Sequence, residues 1–149
     1  YMKKSECANQ CFLNGFNCAQ AVFSTYSVDL GLEAETALKI SCGFGAGMAY
    51  TGETCGAVTG ALMLIGLKNG KVRAEDEAAK EKTYALVQEF AHRFIDLHGS
   101  LKCKDLLGYD ISHTDELIAA REKQLFNTVC PRYVVDACVI VEELLEINK

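Results

Sequence analysis

The sequence has no cluster of basic residues and no long apolar run. Its 15 lysines and arginines are outnumbered by 20 acidic residues, which gives a net charge of −5. We therefore expect no nucleic-acid partner. The longest apolar run, residues 57–67, is too short to cross a bilayer, so we also expect no membrane insertion. No charged stretch followed by an apolar run begins the sequence, and we expect a cytoplasmic protein.

Proline is nearly absent, and so is the polar–apolar alternation that marks β-strands. Pro131 is the one proline, while glycines separate segments whose apolar residues recur at helical spacing. We therefore predict an all-α fold, a compact bundle of about six to eight helices. A chain of 149 residues can bury a sizeable core as a single domain, which we place at residues 1–149.

Apolar periodicity and glycine stops give approximate bounds for these helices. They are residues 3–14, 17–29, 32–41, 54–68, 75–98, 102–107, 114–127 and 131–147. The second helix has Asn17 as its predicted N-cap and a predicted buried stripe of Ala19, Val22, Phe23 and Tyr26. The longest helix has the predicted stripe Val87, Phe90, Ala91, Phe94 and Leu97. Residues 42–52 contain too many glycines for a regular element.

The helix at 54–68 is apolar around its whole circumference, so we predict that it is central and buried. It contains Gly56, Gly60 and Gly66. Glycine inside a helix costs up to about 1 kcal/mol relative to alanine. Close packing of a neighbouring helix is the expected compensation.

Eight cysteines are many for a chain of this length. In a secreted protein they would indicate structural disulfides, whereas in a reducing compartment they favour metal binding or redox chemistry. We favour the second interpretation, because this core needs no disulfides. The sequence has neither the CxxC pairs of a zinc ribbon nor the CxxCH of a c-type haem site.

Four of these cysteines lie at predicted helix N-termini: Cys18, Cys55, Cys103 and Cys130. Unpaired N–H groups and the positive end of the helix dipole favour a thiolate there, and the thiolate is both the nucleophile and the metal ligand. We expect the four to converge, with Cys55 the most reactive because Gly56 leaves its approach open. Glu53 is predicted to cap the helix, or alternatively to handle the proton.

The other four cysteines give weaker signals. Cys138 lies on an apolar helical stripe and is predicted to pack in the core. Cys42 ends a helix, where the dipole opposes a thiolate. Cys7 and Cys11 share one helical face, but alone they are two ligands short of a metal site.

Several segments, spread over nearly the whole chain, resemble those of a known protein family. They are NCAQAV (17–22), GFGAGM (43–48), GETCGAVTGALM (52–63), CKDLLGYD (103–110) and CPRYVVDA (130–137). Together they resemble the redox-active family named C_GCAxxG_C_C, whose four characteristic cysteines would fall on Cys18, Cys55, Cys103 and Cys130. Related segments occur in split-Soret cytochromes, where an iron–sulfur centre accompanies haem. Since the haem motif is missing here, only the cysteine-bearing part would carry over.

Three functions follow, in order of preference. The first is a thiol redox protein that uses the helix-start cysteines for thiol–disulfide or electron-transfer chemistry with a partner protein or a small thiol or disulfide. As an enzyme it would be a thiol–disulfide oxidoreductase. The second is a metal module in which the same four thiolates hold an iron–sulfur cluster or zinc. The third is a structural or interaction domain with inert cysteines. We also expect a homodimer, given the many apolar helix faces.

Overall fold

The computed structural model describes residues 2–147, so the first residue and the last two of the predicted domain lie outside the described residues. Within this range the chain is helical, without strands. The all-α prediction is therefore confirmed for the described residues. None of their helices combines the length and apolar character needed to cross a membrane.

Within residues 2–147, ten α-helical segments follow one another. They are α1 (Lys4–Leu13), α2 (Cys18–Ser27), α3 (Ala34–Ser41), α4 (Gly45–Tyr50), α5 (Gly56–Asn69), α6 (Glu77–His98), α7 (Cys103–Leu107), α8 (Thr114–Glu122), α9 (Leu125–Thr128) and α10 (Cys130–Leu145). Short 3-10 turns lie at Val28–Leu30 and Cys42–Phe44. Residues 114–127, predicted as one helix, are two, because the chain turns through Gln124 at a φ of 56°.

Helices α2 and α5 form the centre of the fold. Asn17 caps α2 as predicted, since its side chain accepts a hydrogen bond from the Gln20 backbone N–H at 2.9 Å while the Gln20 side chain accepts from Asn17 N–H at 3.0 Å. The predicted stripe of α2 is buried throughout. In α5, Val58 and Ile65 are completely buried. The central position predicted for this helix is confirmed.

Two glycines of α5 allow its close approach to α2. A Cβ on Gly60 would lie 2.9 Å from Ala19 O and 3.1 Å from Val22 Cβ. One turn earlier, a Cβ on Gly56 would lie 2.4 Å from Cys18 Sγ. Gly66 has no such role, because nothing lies within 4 Å of the position its Cβ would take. Close packing therefore explains the first two glycines and not the third.

Helices α6 and α10 complete the main core. Phe90 and Phe94 of α6 are fully buried, but Leu97 is 60% exposed, so the end of the predicted stripe is wrong. The last turn of α6 is instead fixed through His98, whose Nε2 lies 2.8 Å from Asp136 Oδ2 on α10. Cys138 of α10 is fully buried, as predicted.

Residues 45–50 were expected to be irregular and instead form the left-handed turn α4. Ala46, Gly47, Met48, Ala49 and Tyr50 all have φ between 55° and 67°. Left-handed helical conformation costs roughly 1–2 kcal/mol for each residue with a side chain. A run of this kind is strained, and the contacts that hold it lie at the cysteine cluster.

Candidate functional site

The four cysteines at helix starts line one pocket. Its cavity volume is about 170 Å³. The lining residues are Phe12, Asn17, Cys18, Ala46, Gly47, Tyr50, Cys55, Gly56, Cys103, Leu106, Leu107, Arg121, Phe126, Cys130 and Tyr133. The pocket thus brings together four cysteines that are far apart in the sequence, and their action as one site stays a prediction. All eight cysteines are free thiols in the structure.

Cys18 and Cys55 are in direct contact at the wall of this pocket. Cys18 is the first residue of α2, and Cys55 is the N-cap of α5. The Cys55 thiol donates a hydrogen bond to the Cys18 sulfur. The missing side chain of Gly56 creates the space that the Cys18 sulfur occupies. The close α2–α5 contact therefore sets the sulfur–sulfur approach.

A short backbone pairing places Cys103 beside Cys55. Thr54 and Lys102 form an isolated antiparallel bridge. Next to it, Cys55 N–H donates to Leu101 O at 2.8 Å, and Cys103 N–H donates to Glu53 O at 2.7 Å. The chain segments ahead of α5 and α7 are thus joined, and both helices begin at the same wall of the pocket.

Cys130 closes the group from α10. It is the first residue of that helix, and Pro131 occupies the following position, where its fixed φ suits a helix start. One turn further, the Tyr133 hydroxyl donates to Leu106 O at 2.9 Å. This bond ties α10 to α7 and holds Cys130 on the same side of the pocket as Cys103.

The left-handed turn α4 covers two of the four cysteines. The backbone N–H of Ala46 donates to the Cys18 sulfur. A Cβ on Gly47 would lie 2.6 Å from Cys103 Cβ, so only glycine fits there. Gly47 O in turn accepts from Glu53 N–H at 3.0 Å and from Thr51 Oγ1 at 2.7 Å. The turn is therefore fixed by the site it covers.

Hydrogen bonding distributes charge unequally between the paired thiols. Hydrogen bonds lower the pKa of Cys18 to about 7 against the opposing effect of burial. The Cys55 thiol has the largest effect, followed by the backbone N–H groups of Ala46, Ala19 and Cys18 itself. The pKa of Cys55 is raised, first because its thiol donates to Cys18 and then because it is buried. These directions favour the anion on Cys18 over Cys55, the residue predicted to be the most reactive.

The other two pocket cysteines stay protonated at neutral pH. Burial, followed by the negative charges of Cys18 and Asp110, raises the pKa of Cys103 to about 12. Burial and the charges of Cys18 and Cys103 also raise the pKa of Cys130. One thiolate surrounded by three thiols is the charge state that results near pH 7.

The metal interpretation fits this arrangement less well. Four cysteines line one pocket, yet no three of the described histidine, cysteine, aspartate or glutamate side chains are placed to share an ion. In this conformation the donor set does not form a metal site.

Glu53 contributes through its backbone alone. Its side chain is exposed and does not line the pocket, whereas its carbonyl receives the Cys103 N–H. Cys55, not Glu53, is the N-cap of α5, and no side chain caps that helix. The predicted capping role is therefore wrong, because the chain ahead of α5 pairs with residues 101–104 instead.

The remaining cysteines lie apart from the pocket lining. Cys42 is exposed at the end of α3, and Cys7 and Cys11 are half-buried on α1. Burial raises the pKa of Cys11, partly offset by a hydrogen bond with Ser24. The Cys7–Cys11 pair therefore gains no further ligand from the pocket.

Comparison with known families gives a match over most of the chain. Residues 16–144 match the family described as "Putative redox-active protein (C_GCAxxG_C_C)". The chain belongs to this family. Neither curated proteins nor solved structures gave a significant match. In this C_GCAxxG_C_C protein the matched range contains all four pocket cysteines and the whole of α4.

The pocket of this C_GCAxxG_C_C protein also contains residues that the sequence analysis missed. Tyr133 lies three positions after Cys130 on α10, and that helical spacing was a usable signal. Tyr50 and Arg121 had no such signal. Tyr50 reaches the pocket through the unexpected turn α4, and Arg121 comes from the exposed end of α8.

Proposed function

We propose that this protein is a thiol–disulfide redox protein in which Cys18 is the nucleophile and Cys55 the resolving cysteine. The contact between the two sulfurs at the wall of an open apolar pocket carries the proposal. A thiolate is the species that attacks a disulfide, and its partner must reach the same sulfur afterwards. The Cys18–Cys55 hydrogen bond meets both requirements.

The exchange proceeds in two displacements. First, the Cys18 thiolate attacks one sulfur of a substrate disulfide, forms a mixed disulfide and releases the other sulfur as a thiolate, which takes up a proton. Next, Cys55 loses its proton to solvent or to the departing sulfur and attacks Cys18 Sγ. A Cys18–Cys55 disulfide forms, and the second substrate sulfur leaves as a thiol. Two protein thiols are oxidised while one disulfide is reduced to two thiols, and a dithiol reverses the reaction.

The environment of the pair favours the first displacement. Three backbone N–H groups and the Cys55 thiol hold the Cys18 pKa at about 7, close to physiological pH. A thiol with a pKa near the ambient pH is the best attacking group, since lower values also reduce intrinsic nucleophilicity. Because Cys18 is only 9% exposed, a substrate must enter the pocket to reach it.

Alkylation as a function of pH tests the assignment of the nucleophile. Exposed Cys42 and half-buried Cys7 are first replaced by serine, so that their labelling does not obscure the pocket. Iodoacetamide labelling of Cys18, followed by peptide mass mapping, is expected to rise with a midpoint near pH 7. Below that pH the thiolate is protonated and labelling slows. Labelling of Cys55 ahead of Cys18 would overturn the assignment.

Two substitutions of Cys55 separate its role as a hydrogen-bond donor from its role as the resolving cysteine. Cys55→Ser keeps a donor for the Cys18 sulfur, whereas Cys55→Ala removes it. We expect the labelling midpoint of Cys18 to rise in Cys55→Ala and to stay closer to that of the parent in Cys55→Ser. With bis(2-hydroxyethyl) disulfide, both variants should accumulate a mixed disulfide at Cys18, which the parent resolves. A parent that also accumulates this adduct would contradict the resolving role.

A metal centre held by Cys18, Cys55, Cys103 and Cys130 is the competing prediction. Protein purified without oxygen is analysed for iron and zinc and by visible absorption. Stoichiometric metal that is lost in Cys103→Ser would favour the metal centre, because our proposal does not use Cys103 as a ligand.

We further propose a reducing cytoplasm as the compartment, since the proposed cycle requires free thiols at rest. Whether the protein is a homodimer stays a prediction.

A further inference from the structure

One positive charge faces the thiol pocket. Among the described residues that line it, Arg121 alone is cationic, and the Cys18 thiolate is the opposite charge in the same pocket. Its guanidinium carbon lies 5.4 Å from the centroid of the Tyr50 ring, and Nη2 donates to the Tyr50 hydroxyl at 3.2 Å. Tyr50 itself is positioned by the left-handed turn α4. The guanidinium is therefore held at the pocket by the same turn that covers Cys18.

The Arg121 guanidinium has N–H donors left to bind a ligand. Arginine carries five N–H donors. One contacts the Tyr50 hydroxyl, and no carboxylate among the described residues forms an ion pair with Arg121. By contrast, Arg93 on α6 pairs with both Glu89 and Glu143. Arg121 thus differs from Arg93, whose charge is neutralised within the protein.

The cavity restricts what can enter. Its volume of about 170 Å³ is comparable with the engineered cavity of about 150 Å³ that accepts benzene. Aliphatic and aromatic side chains make up much of its wall, including Phe12, Leu106 and Phe126. A short carbon chain or one ring fits this space, whereas Cys18, Cys55 and Cys103 are only 7–9% exposed, too little for contact with a folded protein surface.

We propose that the substrate is a small organic disulfide or thiol with an acidic group, and that Arg121 binds this group while the carbon chain occupies the apolar pocket. This inference rests on the proposed function and adds the class of substrate to it. A planar guanidinium binds a carboxylate through paired hydrogen bonds. The protein's net charge of −5 opposes an anion only weakly, because charges beyond about 8 Å are screened at physiological ionic strength.

Binding of inert thioethers tests Arg121 separately from thiol chemistry. The probes are 3-(methylthio)propanoate and its neutral analogue 3-(methylthio)propan-1-ol, each titrated into the 149-residue protein and followed by NMR. We expect the carboxylate to bind about 1.4- to fivefold more tightly than the alcohol, the range for an exposed ion pair. Arg121→Gln should bring this ratio close to one, and Arg121→Lys should keep part of it.

Lys123→Gln is the matched control. Lys123 follows α8, its ammonium lies 5.0 Å from the centroid of the Tyr109 ring, and it does not line the pocket. The control should retain the parental ratio. A parent without preference for the carboxylate, or an equal loss in Lys123→Gln, would overturn the role of Arg121.

Reaction rates then separate this inference from the proposed function. Cys18 adducts are measured with 3,3′-dithiodipropionate and with neutral bis(2-hydroxyethyl) disulfide. If Arg121 selects acidic substrates, Arg121→Gln slows the first reaction about 1.4- to fivefold and leaves the second unchanged. If neither disulfide reacts in the parent, the proposed function fails, and the thioether titration still decides the role of Arg121. Equal slowing with both disulfides would overturn selection by charge.

Discussion

Replacing Gly56 by alanine perturbs the contact on which the site depends. The new methyl group would lie 2.4 Å from Cys18 Sγ, 3.0 Å from Ala19 N and 3.1 Å from Phe44 O. The sulfur can turn away, but the two backbone atoms cannot move without shifting α2 and the chain ahead of α4. Either response separates Cys18 from Cys55. The substitution therefore changes stability, thiol chemistry or both.

The size of the effect follows from two opposing contributions. Overpacking a buried site costs about 1–3 kcal/mol, while alanine in place of glycine gains up to about 1 kcal/mol of helix propensity. Because Gly56 is the first residue of α5, the gain in helix propensity is small and the cost of overpacking dominates. We expect a loss of about 1–2 kcal/mol in the free energy of unfolding, which for a chain of this size lowers Tm by about 2–8 °C.

Gly66→Ala is the matched control within the same helix. Nothing lies within 4 Å of its new methyl group, so this variant should gain up to about 1 kcal/mol. Unfolding of both variants is followed by circular dichroism, and the labelling midpoint of Cys18 is measured in each. We expect the midpoint to rise in Gly56→Ala, because the Cys55 donor is displaced, and to stay unchanged in Gly66→Ala. Parental stability together with a parental midpoint in Gly56→Ala would refute the reasoning.

Two further substitutions test the packing and the backbone of the site. Gly60→Leu should destabilise by roughly 1–3 kcal/mol or more, because even its Cβ would lie 2.9 Å from Ala19 O; a parental urea midpoint would contradict the α2–α5 contact. Ala49→Gly should stabilise the protein by about 0.5–1 kcal/mol, because glycine relieves the left-handed conformation at this position. As a control, Ala85→Gly at an exposed position of the right-handed helix α6 should destabilise the protein by a similar amount. Denaturant unfolding measures both, and a loss of stability in Ala49→Gly would show that the turn is not strained.

The sequence was sufficient to predict most of the helices and the grouping of the four cysteines, because both depend on local signals. Periodicity locates the buried face of α2, the apolar circumference of α5 indicates its central position, and Asn17 and the glycines mark helix ends. Cys18, Cys103 and Cys130 each occupy the first position of a helix, and Cys55 is an N-cap. A position relative to a helix end is visible within a few residues of sequence. Their convergence followed from the chemistry that four such positions have in common.

Features that depend on tertiary contacts could not be predicted from the sequence. The exposure of Leu97 arises because the end of α6 is anchored through His98 and Asp136, a contact between distant segments. Arg121 reaches the pocket because the chain folds back after α8, and its neighbours in sequence do not indicate this. Glycine richness in residues 43–52 indicated unusual backbone, but not that alanine, methionine and tyrosine would adopt it as well.

The left-handed turn α4 explains why the thiolate lies on Cys18 instead of Cys55. Each of these cysteines lies at a right-handed helix start and accepts hydrogen bonds from two backbone N–H groups there. On that basis alone the two are equivalent, and the sequence offers no reason to prefer Cys18. Ala46 supplies a third backbone donor to Cys18, and none from α4 reaches Cys55. The Cys55 thiol then donates toward the sulfur that is already better stabilised as an anion. A strained segment persists where its surroundings hold it, and here the backbone that is costly to form supplies the hydrogen bond that makes the two cysteines unequal.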